Sequence, residues 1–266
     1  MGKTERIERD MSGMEVAVIG DVHGTTKFLE GYEHILKHNN HVGKIIVMGD
    51  HFDPYEDIPF KTMVERYEEF IKCMKSDDRI VSLLGNHDLS AYVIHNDSTN
   101  RTAYIPSHAE KISELIGSNL GESRIMFTMG NHLFSHAGVT AQWMLCVAEP
   151  AGYNFEILNK KGWTPGELSS IVSYSPRDYS GLGNDTLQGP TWVRPPALHR
   201  DPYANFDQVV GHTMVCIKEN RDFMFGSTEF NIRVDSGFYR LTMSNGRTLW
   251  FTDNEGRPEY LVIRVD

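Results

Sequence analysis

Three segments near the start of the chain share one layout: EVAVIGDVHG at 15–24, KIIVMGDHFD at 44–53 and IVSLLGNHD at 80–88. In each segment a short run of mostly apolar residues leads to a glycine, and polar residues follow at once. An apolar run of this length that ends in turn residues predicts a buried β-strand. The glycine permits the tight turn and the close backbone approach that a site just beyond the strand requires.

Amphipathic segments separate these predicted strands. Residues 25–38 and residues 61–75 place their apolar side chains at helical spacing, which predicts one helix after each of the first two strands. The resulting β-α-β-α-β order predicts parallel strands with helices packed against the faces of the sheet.

Shorter elements are predicted after these. Residues 107–116 have the pattern of a helix. Two strands, at 124–129 and 132–136, are expected to form a hairpin with Gly130-Asn131 as its turn.

The last part of the chain divides into two stretches of different composition. Residues 140–205 contain several glycines and prolines and predict an insertion of loops and short helices, near 154–160 and 164–172, that covers a site. Residues 208–265 predict short strands separated by turns. Because no repeat or linker is visible, we expect a polar N-terminal tail at 1–13 and a single domain at 14–266.

Composition limits the classes of partner. The apolar content of 40% is sufficient for a folded core, and the net charge of −10 argues against binding of nucleic acids by charge alone. The N-terminus has no apolar signal segment, and no apolar run approaches the roughly 20 residues that cross a bilayer. We therefore expect a cytoplasmic protein with no membrane partner. The three cysteines have no CxxC spacing, which predicts neither a disulfide framework nor a thiolate zinc site.

Five apolar runs end in residues that can bind a metal ion. These residues are Asp21 and His23, Asp50, Asn86 and His87, His136, and His212. Ligands of open α/β sheets gather beyond the carboxyl ends of the strands, so five strands of one sheet would deliver these side chains to one edge. Carboxylate, imidazole and amide groups suit Mn, Fe, Zn or Mg, and two such ions would leave a positive centre that suits a phosphate anion.

The motifs GDVHG (20–24), GDHFD (49–53), GNHD (85–88), SHAG (135–138) and GHT (211–213) resemble those of the calcineurin-like metallophosphoesterases. The resemblance extends from residue 14 to about residue 237, and it is closest to the phosphoprotein phosphatase and diadenosine tetraphosphatase branch. It implies an α/β sandwich of two mixed β-sheets flanked by helices, with a dinuclear metal site at the strand ends. The expected cofactors are two divalent metal ions, Mn²⁺ first, with Fe, Zn, Ni or Mg as alternatives.

The resemblance also implies roles for single residues. One ion would be bound by Asp21 and His23, the other by Asn86, His136 and His212, and Asp50 would bridge the two. His87 would donate a proton to the leaving group or bind the phosphate, and Asp53 would orient His87. Arg194, in the stretch Trp192-Val193-Arg194, would bind phosphate, and Val234-Asp235-Ser236-Gly237 resembles the strand end that closes the sheet. His51, directly after Asp50, is a further candidate for contact with the substrate.

The match to this branch is incomplete. The branch has an arginine where this chain has Pro54 and another where it has Leu84, so two groups that would hold phosphate are missing. We expect hydrolysis of a phosphomonoester, in a phosphoprotein or a small phosphorylated molecule, by water activated between the two metal ions. The alternatives are a dinucleoside polyphosphate hydrolase or a phosphodiesterase with the same site, and a non-catalytic metal-binding protein of the same fold. The absence of a basic stripe with interleaved aromatic residues argues against a nuclease. The oligomeric state is left open.

Overall fold

The computed structural model describes residues 13–96, 108–164, 166–168, 184–204, 206–214, 222–225, 228–231, 233–235, 238–254 and 258–266. Residues 1–12 of the expected polar tail, and Ser236 and Gly237 of the stretch that was expected to close the sheet, lie outside these residues.

One sheet contains the three segments that opened the sequence. Its strands are β1 (Met14–Ile19), β2 (Lys44–Val47), β3 (Ile80–Ser82) and, from the end of the chain, β12 (Leu261–Val265). The order is β12-β1-β2-β3; β1, β2 and β3 are parallel, and β12 is antiparallel to β1. Helices α1 (Lys27–His38) and α2 (Phe60–Ser76) connect the parallel strands, which confirms the predicted β-α-β-α-β order.

A second sheet is formed by later strands. They are β4 (Met126–Met129), β5 (His132–Ser135), β6 (Asp207–Val210), β9 (Arg233–Asp235), β10 (Phe238–Thr242) and β11 (Thr248–Phe251), in the order β4-β5-β6-β11-β10-β9. Both β5 and β11 are parallel to β6, and the remaining pairs are antiparallel. The pair β7 (Asp222–Phe225) and β8 (Thr228–Asn231) forms a separate antiparallel hairpin. In β4 and β5 the register pairs Met129 with His132, which confirms the hairpin predicted at Gly130-Asn131.

The remaining helices are short. They are α3 (Asn86–Asn96), α4 (Ala109–Asn119), α5 (Ala141–Trp143), α6 (Phe155–Leu158) and α7 (Pro195–Arg200), with a 3₁₀ turn at Leu120–Glu122 and a π-helical turn at Met144–Ala148. The helix predicted at 107–116 is therefore present at Ala109–Asn119. Of the helix predicted at 164–172, the structure describes residues 164 and 166–168, and the last three are helical.

Side chains on both faces of the first sheet are buried. Val16, Val18 and Ile46 face the second sheet, where they join one core with Phe134 and Val209. Their neighbours along the strands point the other way and pack beneath α1 and α2: Ala17, Ile19, Ile45 and Val47. Burial on two faces explains why these strands are apolar throughout and do not alternate with polar residues.

The expectation that five strands of one sheet carry the motifs is wrong. Strands β1, β2 and β3 belong to one sheet, whereas β5 and β6 belong to the other. An apolar run shows that a strand is buried, but it does not show which sheet the strand joins. The two sheets pack as a sandwich, and their motif-bearing ends lie together, as the N–H of His212, beyond β6, donates to Asp21, beyond β1. Within the described residues, no helix is long and apolar enough to span a bilayer.

Candidate metal centre

The expected site residues lie beyond the carboxyl ends of strands in both sheets. They are Asp21 and His23 after β1, Asp50 and Asp53 after β2, Asn86 and His87 after β3, His136 after β5, and His212 after β6. Short distances join these side chains or their backbones into one group. The structure therefore brings together residues from all five motifs.

Several of these residues adopt a left-handed backbone conformation. The φ angles are 47° for His23, 51° for Asp50, 67° for Asp53 and 58° for His212. A β-carbon makes this region unfavourable, so such residues persist only where the surroundings enforce them. Here the loops bond to one another, because the N–H of His23 donates to the carbonyl of Asp50 at 2.6 Å and that of His212 donates to Oδ2 of Asp21 at 2.7 Å.

The carboxylate of Asp50 lies at the centre of the group. Its Oδ1 accepts a hydrogen bond from the backbone N–H of His87 at 2.9 Å, which fixes its orientation. Its Oδ2 lies 3.2 Å from Nε2 of His136, 3.9 Å from Nε2 of His23 and 4.0 Å from Nε2 of His87. One oxygen faced by three imidazoles suits the bridging position expected of Asp50.

Backbone carbonyls orient two of these imidazoles. Nδ1 of His23 lies 2.8 Å from the carbonyl oxygen of Asp53, and Nδ1 of His136 lies 2.8 Å from that of Met48. A carbonyl oxygen only accepts, so each Nδ1 carries the proton and donates it. The Nε2 atom of each ring is then directed at Asp50, in the way that histidine ligands of metal ions are usually supported.

The buried polar atoms of this group fit a divalent metal ion. Oδ1 of Asp21, Nε2 of His23 and Nε2 of His212 are buried, and none has a hydrogen-bond partner in the described part of the chain. Ligand atoms of Asp21, Asp50 and His136 all lie within 4.8 Å of one another, and Oδ1 of Asn86 lies 2.9 Å from Nε2 of His136. Acceptors that are buried this close together need a positive charge among them.

The pKa values of the metal-free site also reflect the need for positive charge among these buried groups. Burial and the carboxylates of Asp253 and Asp50 raise the pKa of Asp21 to about 8. Burial opposes the charged form of His136, but Asp50 and Asp21 raise its pKa to about 10. Burial also opposes the charged form of Asp50, yet His136 and His87 hold the pKa of Asp50 well below its usual range. In the metal-free protein, a proton on His136 thus supplies positive charge between the carboxylates.

His87 and Asp53 form a pair at the partly exposed rim of this group. Nδ1 of His87 lies 2.7 Å from Oδ2 of Asp53, so the imidazole donates to the carboxylate. Burial lowers the pKa of His87, but the carboxylates of Asp50 and Asp53 outweigh it and raise that pKa above its ordinary value. The geometry therefore favours a protonated His87 whose Nε2 lies beside the central carboxylate.

Comparison with known protein families identifies the chain. The family model described as calcineurin-like phosphoesterase matches residues 14–213. The chain belongs to this family. It is a hydrolase that acts on phosphate esters, in a family that binds divalent metal ions. No curated protein matches the sequence.

Solved structures similar to this phosphoesterase are distant in sequence. A metallophosphoesterase from Sphaerobacter thermophilus is 16% identical, with 95% of this chain and 84% of that chain covered and a TM-score of 0.38. A protein serine/threonine phosphatase from Saccharomyces cerevisiae is 10% identical, with 97% and 81% covered and a TM-score of 0.45. A putative diadenosine tetraphosphatase is 14% identical, with 96% and 95% covered and a TM-score of 0.37. At such identities and TM-scores, these structures do not indicate which substrate the phosphoesterase takes.

Arg194 lies next to the ligand loop of the phosphoesterase. Its Nη1 donates to the carbonyl oxygen of His212 and lies 3.2 Å from Oγ1 of Thr213. Tyr55 is 64% exposed, and its ring centroid lies 4.5 Å from that of His23. Pro54 stands where an arginine is expected from the related branch, and Tyr55 follows it. An aromatic ring therefore lies beside the metal centre on this side.

The expectation that His51 touches the substrate is not met. Its side chain is only 3% exposed, and its ring lies 4.4 Å from that of Phe70 and 5.3 Å from that of Tyr67, measured between centroids. Burial lowers its pKa, as expected for a neutral imidazole in the core. In the loop after β2, the side chain of Asp50 thus points toward the ligands and that of His51 toward the core.

Sequence reasoning missed the role of Asp88, the last residue of the GNHD motif. This side chain is fully buried, and it accepts hydrogen bonds from three backbone N–H groups: that of His51 at 2.8 Å, that of Asp50 at 2.9 Å and that of Gly85 at 3.0 Å. Asp88 thus ties the loop after β2 to the loop after β3. Its place in a recognised motif was the available signal, but an aspartate after a histidine also suits an ordinary helix start.

Proposed function

We propose that this phosphoesterase hydrolyses phosphomonoesters with the aid of two divalent metal ions, Mn²⁺ first among the candidates. The observation that carries the proposal is the Asp53–His87 pair beside Asp50, which places a protonated imidazole next to the metal-binding group. The phosphorylated substrate is a phosphoprotein or a small molecule.

The ions would be held by the residues that the geometry assembles. Asp21, His23 and Asp50 would hold one ion, and Asp50, Asn86, His136 and His212 the other. Bound divalent ions acidify water and neutralise the charge on phosphate oxygens. The protein keeps the ligands in place through Asp88 and through the carbonyls that accept from His23 and His136.

His87 is the general acid of this proposal. Nδ1 is held by the carboxylate of Asp53, which leaves Nε2 to donate its proton to the departing ester oxygen. The hydrogen bond and the charge of Asp53 raise the pKa of His87, which favours the protonated form that this role requires. Asp53 does not contact the substrate; it keeps the imidazole oriented and charged.

Arg194 adds positive charge to the phosphate side of the site. Its guanidinium lies beside the His212 loop, where its charge would attract the phosphoryl group. A monoester carries more negative charge than a diester near neutral pH, so a site with His87, Arg194 and metal ions suits it better. This preference in charge is the reason to rank phosphomonoesters above phosphodiesters.

The test measures turnover by metal-stripped protein to which Mn²⁺, Mg²⁺, Zn²⁺, Ni²⁺ or Fe²⁺ is added. Phenyl phosphate, diphenyl phosphate and diadenosine tetraphosphate would be compared at equal concentration. We expect the monoester to react fastest, and Asp50→Asn to lower its turnover by at least about 10³-fold. Faster turnover of either other substrate would replace the phosphomonoester by that class, and full activity of Asp50→Asn would overturn the metal-dependent site.

The role of His87 has a separate test. A departing para-nitrophenolate needs little help from an acid, whereas a departing phenolate needs a proton. His87→Asn should therefore lower turnover of phenyl phosphate by about 10²–10⁴-fold and that of para-nitrophenyl phosphate much less. His38→Asn, an exposed histidine on α1, is the matched control. Equal losses on both substrates would assign His87 to phosphate binding instead.

A further inference from the structure

A further strand end contributes a carboxylate to the metal end of the sandwich. Asp253 follows β11, which is parallel to β6, the strand that leads to His212. The N–H of Thr252 donates to the carbonyl of Val210 at 2.8 Å, which extends the pairing of the two strands to their ends. Asp253 therefore follows its strand in the same way as the motif ligands follow theirs.

Asp253 is buried and lacks a described partner for one oxygen. The residue is 3% exposed, and Oδ1 has no hydrogen-bond partner within the described residues. After burial itself, Asp253 is the strongest influence that raises the pKa of Asp21. Burying a carboxylate oxygen without a hydrogen bond is costly, so its position beside another carboxylate points to a bound cation.

Lys27 lies in the same region and is unusual for a lysine. It is 1% exposed, and Nζ has no hydrogen-bond partner among the residues described. It is the first residue of α1, where the helix dipole disfavours a positive charge. A β-carbon on Gly20, after β1, would lie 2.9 Å from Nζ of Lys27 and 2.0 Å from the carbonyl oxygen of Thr252, after β11. The ammonium therefore lies where the ends of β1 and β11 meet.

Asp21 connects these two residues to the metal site. Burial lowers the pKa of Lys27, whereas the carboxylates of Asp21, Asp253 and Glu259 favour its charged form, and none of them forms a hydrogen bond with Nζ. Asp253 also lies outside the tight group of ligand atoms formed by Asp21, Asp50 and His136. Asp253 would therefore attract an ion at Asp21 by its charge, or contact it through a water molecule, without being a direct ligand.

We propose that Asp253 and Lys27 extend the metal site beyond its motifs, with opposite effects on the ion held by Asp21 and His23. The Asp253 carboxylate strengthens binding of that ion, and the Lys27 ammonium weakens it. The inference rests on the metal site of the proposed function and adds two positioning residues to it. Together they set the affinity, because the ion position has only Asp21, His23 and Asp50 as expected ligands.

The test measures Mn²⁺ binding to metal-stripped protein by titration calorimetry, without any substrate. Asp253→Asn should weaken the affected binding event by about 10–100-fold, the usual effect of a residue that supports a metal ligand. Lys27→Met should tighten the same event by about 10-fold. The double variant should bind within about 10-fold of the unmodified protein, because the two effects oppose each other.

Controls separate charge from folding. Asp253→Glu keeps the carboxylate and should restore most of the affinity that Asp253→Asn loses. Asp78→Asn and Lys37→Met change exposed residues by the same chemistry, the latter on the same helix as Lys27, and should leave Mn²⁺ binding unchanged. Circular dichroism of each metal-free variant shows whether it is folded. If Lys27→Met does not fold, the comparison of Asp253→Asn with Asp253→Glu still decides the role of Asp253.

The outcomes distinguish this inference from the proposed function. If the unmodified protein binds no Mn²⁺ and has no turnover, the proposed function fails first. If it binds Mn²⁺ and turns over substrate while folded Asp253→Asn and Lys27→Met bind equally well, the inference alone is overturned. A loss of affinity in both variants would assign Lys27 a purely structural role and overturn the opposed effects.

Discussion

The two ends of the sandwich make their turns differently. At the metal end, His23, Asp50 and His212 adopt left-handed backbone conformations. At the opposite end that conformation occurs at the glycines of the tight turns before β5 and β11, Gly130 and Gly246, and also at Ala204, before β6. Glycine adopts it at little cost, whereas residues with a β-carbon are strained there. The metal end accepts this strain because the ligands must occupy those positions.

The hydrogen bonding of polar groups also differs between the two ends. At the metal end, buried atoms of Asp21, His23 and His212 have no described hydrogen-bond partner. At the opposite end, Oδ1 of Asp207 accepts from the N–H of Thr248 at 2.8 Å, and the carbonyl of Asn131 accepts from the N–H of Asp207 at 3.0 Å. Asn131 and His132 at that end also have a buried atom without a described partner, but the unsatisfied atoms of the metal end lie together as potential ligands. Stability given up for ligand binding in this way is common in enzymes.

The largest expected effect is an exception to this contrast. Asp88 belongs to the metal end, yet it satisfies three buried N–H groups. Asp88→Ala should lower the free energy of unfolding of the metal-free protein by about 4 kcal/mol, because each buried donor loses its acceptor. Denaturant titration measures the loss, and Asp78→Asn, at an exposed position, is the control. A loss below about 1 kcal/mol would mean that water replaces the carboxylate.

Metal binding should give the buried polar atoms of the metal end a partner and so stabilise that end. Mn²⁺ at a hundred times its dissociation constant should raise the free energy of unfolding by about 2.7 kcal/mol, because the folded state alone presents the assembled ligands. Asp50→Asn should lose this gain, which thermal unfolding with and without chelator detects. An equal gain in Asp50→Asn would place the ion elsewhere.

A ligand removed from the metal-free protein should stabilise it. Burial raises the pKa of Asp21 to about 8 from its ordinary 3.8, so between these values the folded state binds a proton that the unfolded state has lost. Stability of the unmodified protein then falls as pH rises through this window. Asp21→Asn avoids the fall and should be more stable by a few kcal/mol at pH 8, at about 1.4 kcal/mol per pKa unit, and by much less at pH 4. Chelator-treated protein is compared at both pH values, and a difference that shrinks as pH rises would contradict the cause.

The smallest expected effect lies at the opposite end. Gly246 has a φ of 81° with open space around it, so Gly246→Ala should cost about 1 kcal/mol of stability through backbone strain alone. Turnover and Mn²⁺ affinity should not change. Gly121→Ala, also in open space but without a positive φ, is the control and should be close to neutral. A loss of metal affinity in Gly246→Ala would show that the two ends are coupled.

Local patterns in the sequence account for most of the fold and of the ligand set. A ligand such as Asp21 or His136 follows its strand directly, so a short window contains both the strand and the side chain. The resemblance to the family predicted two sheets, but the strand patterns alone could not assign each strand to a sheet, because pairing joins distant segments such as β1 and β12. His51 was misassigned because the sequence does not show that its ring turns toward Phe70 while Asp50 turns toward the ligands.

The residues that sequence reasoning missed depend on tertiary structure. Asp253 follows the apolar strand β11, and the rule applied to the other strand ends would have found it. Lys27 gave no such signal, because a lysine at the start of a helix is ordinarily solvated. Only the meeting of two strand ends around its ammonium shows that it is buried.

The hydrogen bond from His212 to Asp21 joins residues 191 positions apart in the chain. During synthesis, the first three motifs leave the ribosome well before the segment that completes their site. Contacts of such long range form late in folding, after the cost of closing the loop between them has been met. The nascent protein therefore remains without hydrolytic activity until both sheets have joined, and a chain truncated before residue 212 would lack both a ligand and β12, the strand that completes the first sheet.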